Sequence, residues 1–321
     1  MSKEFFPLSR GLSRTLLFIG PLFLLGCGGE DDFFERRETT KFIEMVDGYI
    51  DGYLQANPVI ATEMGIHQYD DTIGPVNRDQ IFGERKRLQD ALQDLSRIEV
   101  RFLSQDDKFD YQILDYHVQS QLSNFDQIGL WARDPGYYDE LICRGINSLL
   151  HHGAEPLEAR LRSIIAREEQ VPAILEGSRD IIDNIPRVLA RIAVDQFESS
   201  LTYFREYLPQ ALETVQDATL LEEFQLANDG VIAAYEDYLE FLNREVLEDL
   251  QYRYTDFYLG TRTIEQKLLY DDFLEIPFAE ILEYGESELD KHQESMVQTA
   301  MEIDPERDLS AILQDAFNEG P

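Results

Sequence analysis

Basic residues are scarce in this chain. Only 28 Lys and Arg stand against 63 Asp and Glu in 321 residues, a formal net charge of −35. Such a surface repels nucleic-acid phosphates and anionic lipid headgroups, and Arg85-Lys86-Arg87 is too short a basic cluster to reverse that, so no nucleic-acid partner is expected. Cysteine is nearly absent, with Cys27 and Cys143 alone; if one is modified, no intrachain disulfide can form. Histidine is sparse too: His67, His117, His151, His152 and His292. A zinc site of the HExxH type needs two histidines one helical turn apart with a glutamate beside the first. The nearest approach, His292-Gln293-Glu294-Ser295-Met296, has Gln293 where the base belongs and Met296 where the second ligand belongs. His151 and His152 are adjacent, about 100° apart on a helix, and cannot chelate one ion from one face. Gly177-Ser178 lacks the glycine spacing of a nucleophile elbow, and no glycine loop that would cradle phosphate is found. No metal, catalytic or cofactor-binding residue is therefore assigned.

Strand-like alternation is missing over any useful length, whereas helical spacing is everywhere. Between Glu155 and Leu250 three apolar stripes recur in steps of three and four. The first runs from Leu157 and Leu161 through Ile164, Ile174 and Ile182. The second contains Val188, Ile192, Phe197, Leu201, Phe204 and Leu208. The third contains Phe224, Val231, Tyr235, Tyr238, Leu242 and Val246. The fold expected is all-α, a multi-helix array of long amphipathic helices. Shorter stripes stand at Phe42–Leu54, Ile81–Leu95 and Phe109–Leu122, and helix returns at 265–270, 278–301 and 309–317. Asn57-Pro58 ends the first of these, Pro58 opens a brief helix stopped at Gly65, and Asp134-Pro135-Gly136 is a turn. Glu222-Glu223, Asp271-Asp272 and Asp70-Asp71 read as solvated charges, His117 as a partly buried hydrogen-bonded side chain, and Cys143 as a small apolar filler with no base beside it.

Residues 1–26 read as an export signal: Lys3, Arg10 and Arg14 precede the apolar run Thr15–Leu25, which is shorter than the about 20 residues a spanning helix needs. Leu24-Leu25-Gly26-Cys27 resembles the bacterial lipobox, which implies cleavage before Cys27 and a lipid on its thiol, with palmitate among the acyl chains. Gly28 after the cysteine, where inner-membrane retention favours aspartate, points to the outer membrane. Residues 27–38 are expected to be a flexible acidic tether and 39–321 the helical domain. Off the helical period, Tyr252, Tyr254 and Tyr258 form an aromatic cluster that could line a ligand groove.

Several stretches together resemble a bacterial lipoprotein family catalogued as domain of unknown function 885. Asn57-Pro58 with Ala61-Thr62-Glu63-Met64-Gly65-Ile66-His67 is similar to its opening landmark. Arg133–Tyr138, the helix between Pro156 and Pro172, Thr255–Gly260, Gly285–Leu289 and Met301–Pro305 resemble later ones in the same order. The resemblance implies the N-terminal half of a helical, gluzincin-like metallopeptidase fold, with zinc and HExxH belonging to a C-terminal half that this sequence does not match. The expectation is thus a lipid-anchored envelope protein forming one wall of a peptide-sized cleft, not hydrolytic alone. Its partners would be the membrane through the lipid, peptides, and a separately encoded C-terminal half. The alternative is a non-enzymatic surface lipoprotein that binds peptide or protein.

Overall fold

A computed structural model describes residues 30–74, 77–151, 155–183, 185–248 and 258–319, and every regular element among them is a helix. The all-α array expected from the 3.6-residue periodicity is the one observed. The signal segment, Cys27, Tyr252, Tyr254 and His152 lie outside the described residues.

Helix α1 (Glu30–Ala56) begins well before the stripe at Phe42, so residues 30–38, expected as tether, are its first turns. Glu38 is the reason. It is buried, and its carboxylate accepts from Lys41 Nζ at 2.6 Å and from the Glu99 backbone N–H at 3.3 Å. Phe34 stacks on Phe102 nearby, ring centroids 5.1 Å apart. Helix α2 (Pro58–Glu63) opens on its proline, whose missing N–H costs nothing there. It closes through Gly65 at φ 81°, with Gly65 N–H bonded to Thr62 O and Ile66 N–H to Ala61 O. That left-handed ending needs glycine and explains the Gly-Ile-His landmark. Helices α3 (Arg78–Leu95) and α4 (Gln105–Ser123) are capped by Asn77 and Ser104, whose side chains accept from Gln80 N–H and Asp107 N–H. With α1 they enclose a small core of Phe42, Tyr49, Leu88, Leu95, Ile98 and Val118.

A larger core follows. A wide π turn (Asn124–Ile128) and a short α5 (Leu130–Arg133) lead to α6 (Gly136–His151), started by Asp134 Oδ1 accepting from Gly136 N–H at 2.9 Å. Then come α7 (Leu157–Glu168), α8 (Val171–Arg179), α9 (Arg187–Thr202), a second π turn (Tyr203–Tyr207), α10 (Leu208–Ala211) and α11 (Ala218–Phe241). Pro156, Pro172, Pro186 and Pro209 sit at the starts of these helices. Helix α6 packs on α2, α7 and α9, and α11 closes over α7, α8 and α9. The first stripe beyond the half-buried Leu157, and the third, are buried as their spacing requires. The second is corrected at its start: Val188 and Ile192 are exposed at 54% and 47%. Helix α9 instead turns Ala190, Ala193, Phe197, Leu201 and Phe204 inward, the set that keeps steps of three and four up to the π turn.

Helix α12 (Thr261–Asp272) lies along α4, joined to it by a Ser120 to Asp271 hydrogen bond and to the π turn after it by Thr263 Oγ1 to Gln127 Oε1 at 3.0 Å. Helices α13 (Phe278–Ile303) and α14 (Leu309–Glu319) then form an arm that packs chiefly on itself, through Ala300 and Ile312.

Candidate functional site

Where α6 passes α9, six side chains line a shallow, open cleft of about 450 Å³: Cys143, Arg144 and Asn147 from α6, and Ser199, Ser200 and Tyr203 from α9 and its π turn. Each helix contributes residues i, i+1 and i+4, the set that faces one neighbour. Behind this lining lies a buried polar cluster. The Cys143 thiol is 3.2 Å from Ser200 Oγ, 3.7 Å from Asp139 Oδ1 and 3.7 Å from Tyr235 OH. Ser200 and Tyr235 also hydrogen-bond the Asp139 carboxylate. Asp139 stands one helical turn before Cys143 on the buried face of α6, beside Ile142 and Ile146.

Electrostatics decide what the cluster can do. Burial raises the Asp139 pKa, opposed by the hydrogen bonds from Ser200, Tyr235 and Cys143. Burial, and then the charge of Asp139, push the Cys143 thiol up to about 12. A base is thus beside the cysteine, contrary to the reading from sequence, but it acts on the thiol mainly as a negative charge and keeps it protonated. Nor is Cys143 an apolar filler: it is the corner where the polar cluster meets the cleft. At neutral pH the site offers hydroxyls, an amide, an un-ionised thiol and the Arg144 guanidinium, itself paired with Glu63, which suits hydrogen bonding better than nucleophilic attack. Tyr203 and Glu168 sharpen the picture. The Tyr203 hydroxyl and both oxygens of Glu168 are buried without a hydrogen-bond partner. Burial raises the pKa of each, and for Glu168 it holds the carboxyl well above the usual carboxylate range.

A second polar network joins α7 to α2 and α6. Arg167 is fully buried; its guanidinium donates to Gly145 O, to Ser148 Oγ at 3.4 Å and to Thr62 Oγ1 at 2.7 Å. Thr62 donates to Asp70 Oδ1 at 2.6 Å, and Asp70 Oδ2 lies 2.8 Å from His67 Nδ1. Asp70 is therefore part of a relay and not the solvated charge its Asp-Asp context suggests, whereas Glu222 and Glu223 are exposed as expected. Burial lowers the Arg167 pKa to about 10, partly offset by Asp70, Asp71 and Glu63, so the cation persists at neutral pH.

The other singled-out residues are not brought together. Tyr258 is exposed at 75% before α12. His117 is held edge-on against Tyr49 and Tyr53, with ring centroids 5.9 and 5.3 Å away, and burial lowers its pKa. His151 and His292 are exposed on α6 and α13. Among the described residues no three His, Cys, Asp or Glu side chains converge to hold a metal. What sequence reading missed, Asp139, Glu168, Arg167 and Ser200, shares one signal: each polar group sits on or beside an apolar helical stripe.

Comparison with known proteins gives a family and a fold. The model of a family described as "Bacterial protein of unknown function (DUF885)" matches residues 58–319. No curated protein matches the sequence. A solved structure, described as a candidate lipoprotein of unknown function from Shewanella oneidensis, superposes with a TM-score of 0.69 at 21% identity. The likeness covers 82% of this chain and 48% of that one, so the chain spans about half the length of its solved neighbour.

Proposed function

Because the chain belongs to the DUF885 family and spans about half the length of a solved protein of the same fold, we propose that it is the binding half of a larger helical assembly. The observation that carries this reading is the bare arm. Leu282, Leu289, Met301, Ile303 and Phe317 are exposed at 52, 57, 62, 64 and 85%, large apolar side chains of the kind that mark an interaction surface when they lie together. The arm is the natural place for a complementary segment to seat, and the cleft between α6 and α9 then offers hydrogen-bonding groups to a peptide-like ligand. Zinc-assisted amide hydrolysis is what the family resemblance implies for a longer relative, and this half does not perform it alone.

On this reading the protein is held in the outer membrane of the cell envelope by a lipid on Cys27. The Leu-Leu-Gly-Cys sequence and the basic, then apolar, residues before it support this. Two measurements test the reading. Wild type labelled with an alkyne palmitate analogue carries the label in the outer-membrane fraction, and Cys27→Ser does not; a labelled Cys27→Ser protein would refute the anchor. Purified 27–321 is assayed for bound zinc and for cleavage of a quenched peptide library. Stoichiometric zinc with turnover would overthrow the non-hydrolytic half. A second reading, a peptide-binding module built on Tyr252, Tyr254 and Tyr258, draws support from the exposed Tyr258 ring. On that reading Tyr254→Ala and Tyr258→Ala weaken peptide capture; unchanged capture counts against it.

A further inference from the structure

Helix α13 has one apolar line that nothing in the described residues covers along its length. Leu282, Leu289, Met296 and Ile303 recur every seventh residue, and a straight helix drifts by only about 20° over each such step. They are exposed at 52, 57, 40 and 64%. Helix α14 folds back on α13, burying its own Ile312 and Ala300 of α13 to 6% exposure, and covers the line's face only there, between Met296 and Ile303. Carboxylates stand about 100° to either side of it: Glu283 and Asp290 directly follow Leu282 and Leu289, and Glu288 and Glu302 directly precede Leu289 and Ile303. Lys291 is the one Lys or Arg of α13, and Glu288 holds it at 2.6 Å.

This pattern selects its occupant. A second copy of the chain would set carboxylates against carboxylates, and an anionic lipid surface would be repelled in the same way. A helix with its own apolar stripe edged by Lys and Arg satisfies both the greasy line and its charged borders. We infer that α13 is the docking face for a basic amphipathic helix supplied from outside residues 30–319. The inference rests on the reading that the chain is one half of a larger assembly, and it names the chemistry of the segment that completes it. The line supplies the affinity, and the carboxylate borders reject acidic helices and homodimers.

The test uses the mature full chain and two labelled synthetic peptides of one composition. One has leucine in steps of three and four, edged by lysine; the other has the same residues scrambled. Fluorescence anisotropy should show the patterned peptide binding at least about tenfold more tightly than the scrambled one. The paired substitution Leu289→Asp with Met296→Asp should weaken the patterned peptide by about tenfold or more, although it adds negative charge. That sign separates docking from mere charge attraction, which the two aspartates would strengthen. Equal binding of both peptides to wild type would overturn the inference, as would unchanged or tighter binding by a double variant of unaltered circular dichroism. Sedimentation should find wild type monomeric; a dimer dissolved by the same pair of substitutions would install a second copy as the occupant and overturn it too. These readouts are independent of lipid labelling and peptide turnover, so loss of the anchor or of the non-hydrolytic reading would leave them standing.

Discussion

Glu168 poses the sharpest question at the scale of single residues. Its carboxyl is buried with neither oxygen paired, a costly arrangement that most proteins avoid. Its pKa is raised in the folded state, so its contribution to stability is fully present below the ordinary value near 4.5 and is lost as pH climbs toward the folded value. Glu168→Leu should therefore stabilise the protein at pH 8 by about 1–3 kcal/mol in urea unfolding, and the gain should shrink at pH 4. A destabilised variant at pH 8 would show that the carboxyl has a partner. Cys143 gives a kinetic counterpart. In a Cys27→Ser background it is the only thiol, and with a pKa near 12 it should alkylate with iodoacetamide at pH 8 at least about a hundredfold more slowly than free cysteine. Asp139→Asn, which removes a raising charge, should quicken it. Arg167 tests geometry against charge. Arg167→Lys keeps a buried cation but cannot reach Gly145 O and Thr62 Oγ1 together, so it should cost about 3 kcal/mol or more, exceeding Arg167→Met. A lysine variant as stable as wild type would show that charge alone suffices. A place on or beside an apolar stripe is the one hint the sequence holds for Glu168, Asp139 and Arg167, and it does not single them out. A carboxylate at position 139 or 168 looks like any of the 63 until the helix faces are known, and only the packing of α6, α7, α9 and α11 reveals which ones are inside.

Helices were the legible part. Periodicity and punctuation located α2, α3, α4, α12, α13 and α14 closely, because proline, glycine and side-chain caps act over a few residues. Errors arose where distant contacts decide. The start of α1 depends on Glu38 meeting Glu99, sixty-one positions away, and the inward face of α9 depends on how closely alanines let it approach α6. The close approach of α2 to α6 has a direct test. A Cβ at Gly145 would sit 3.2 Å from Val59 Cγ2, with Arg167 and Ile73 also in range, whereas one at Gly230 on α11 meets nothing within 4 Å. Gly145→Ala should cost about 1–3 kcal/mol and Gly230→Ala should add about 0.5–1 kcal/mol, read as midpoint shifts in urea. Equal shifts of one sign would mean that helix propensity, not the α2–α6 approach, governs both positions.

At the scale of the whole molecule, burial is unevenly shared. The core around α6 to α11 holds Phe197, Phe204, Tyr235, Tyr238 and Ile164 at complete burial. The core of α1, α3 and α4 is smaller, and the arm keeps only Ala300 and Ile312 from water. Hydrophobic burial is the main stabilising force and scales with covered apolar area, so local opening should become easier in that order. Amide hydrogen exchange should show the slowest amides in α7, α9 and α11, intermediate protection in α3 and α4, and rapid exchange along α13 and α14 despite their regular hydrogen bonds. Adding the patterned basic peptide should slow exchange in α13 first, because it covers the Leu282–Ile303 line, while α7 and α11, whose amides open only with the main core, should barely respond. If the free chain protects α13 as strongly as α11, the arm draws stability from a source other than burial, and a covering partner is no longer needed to explain it.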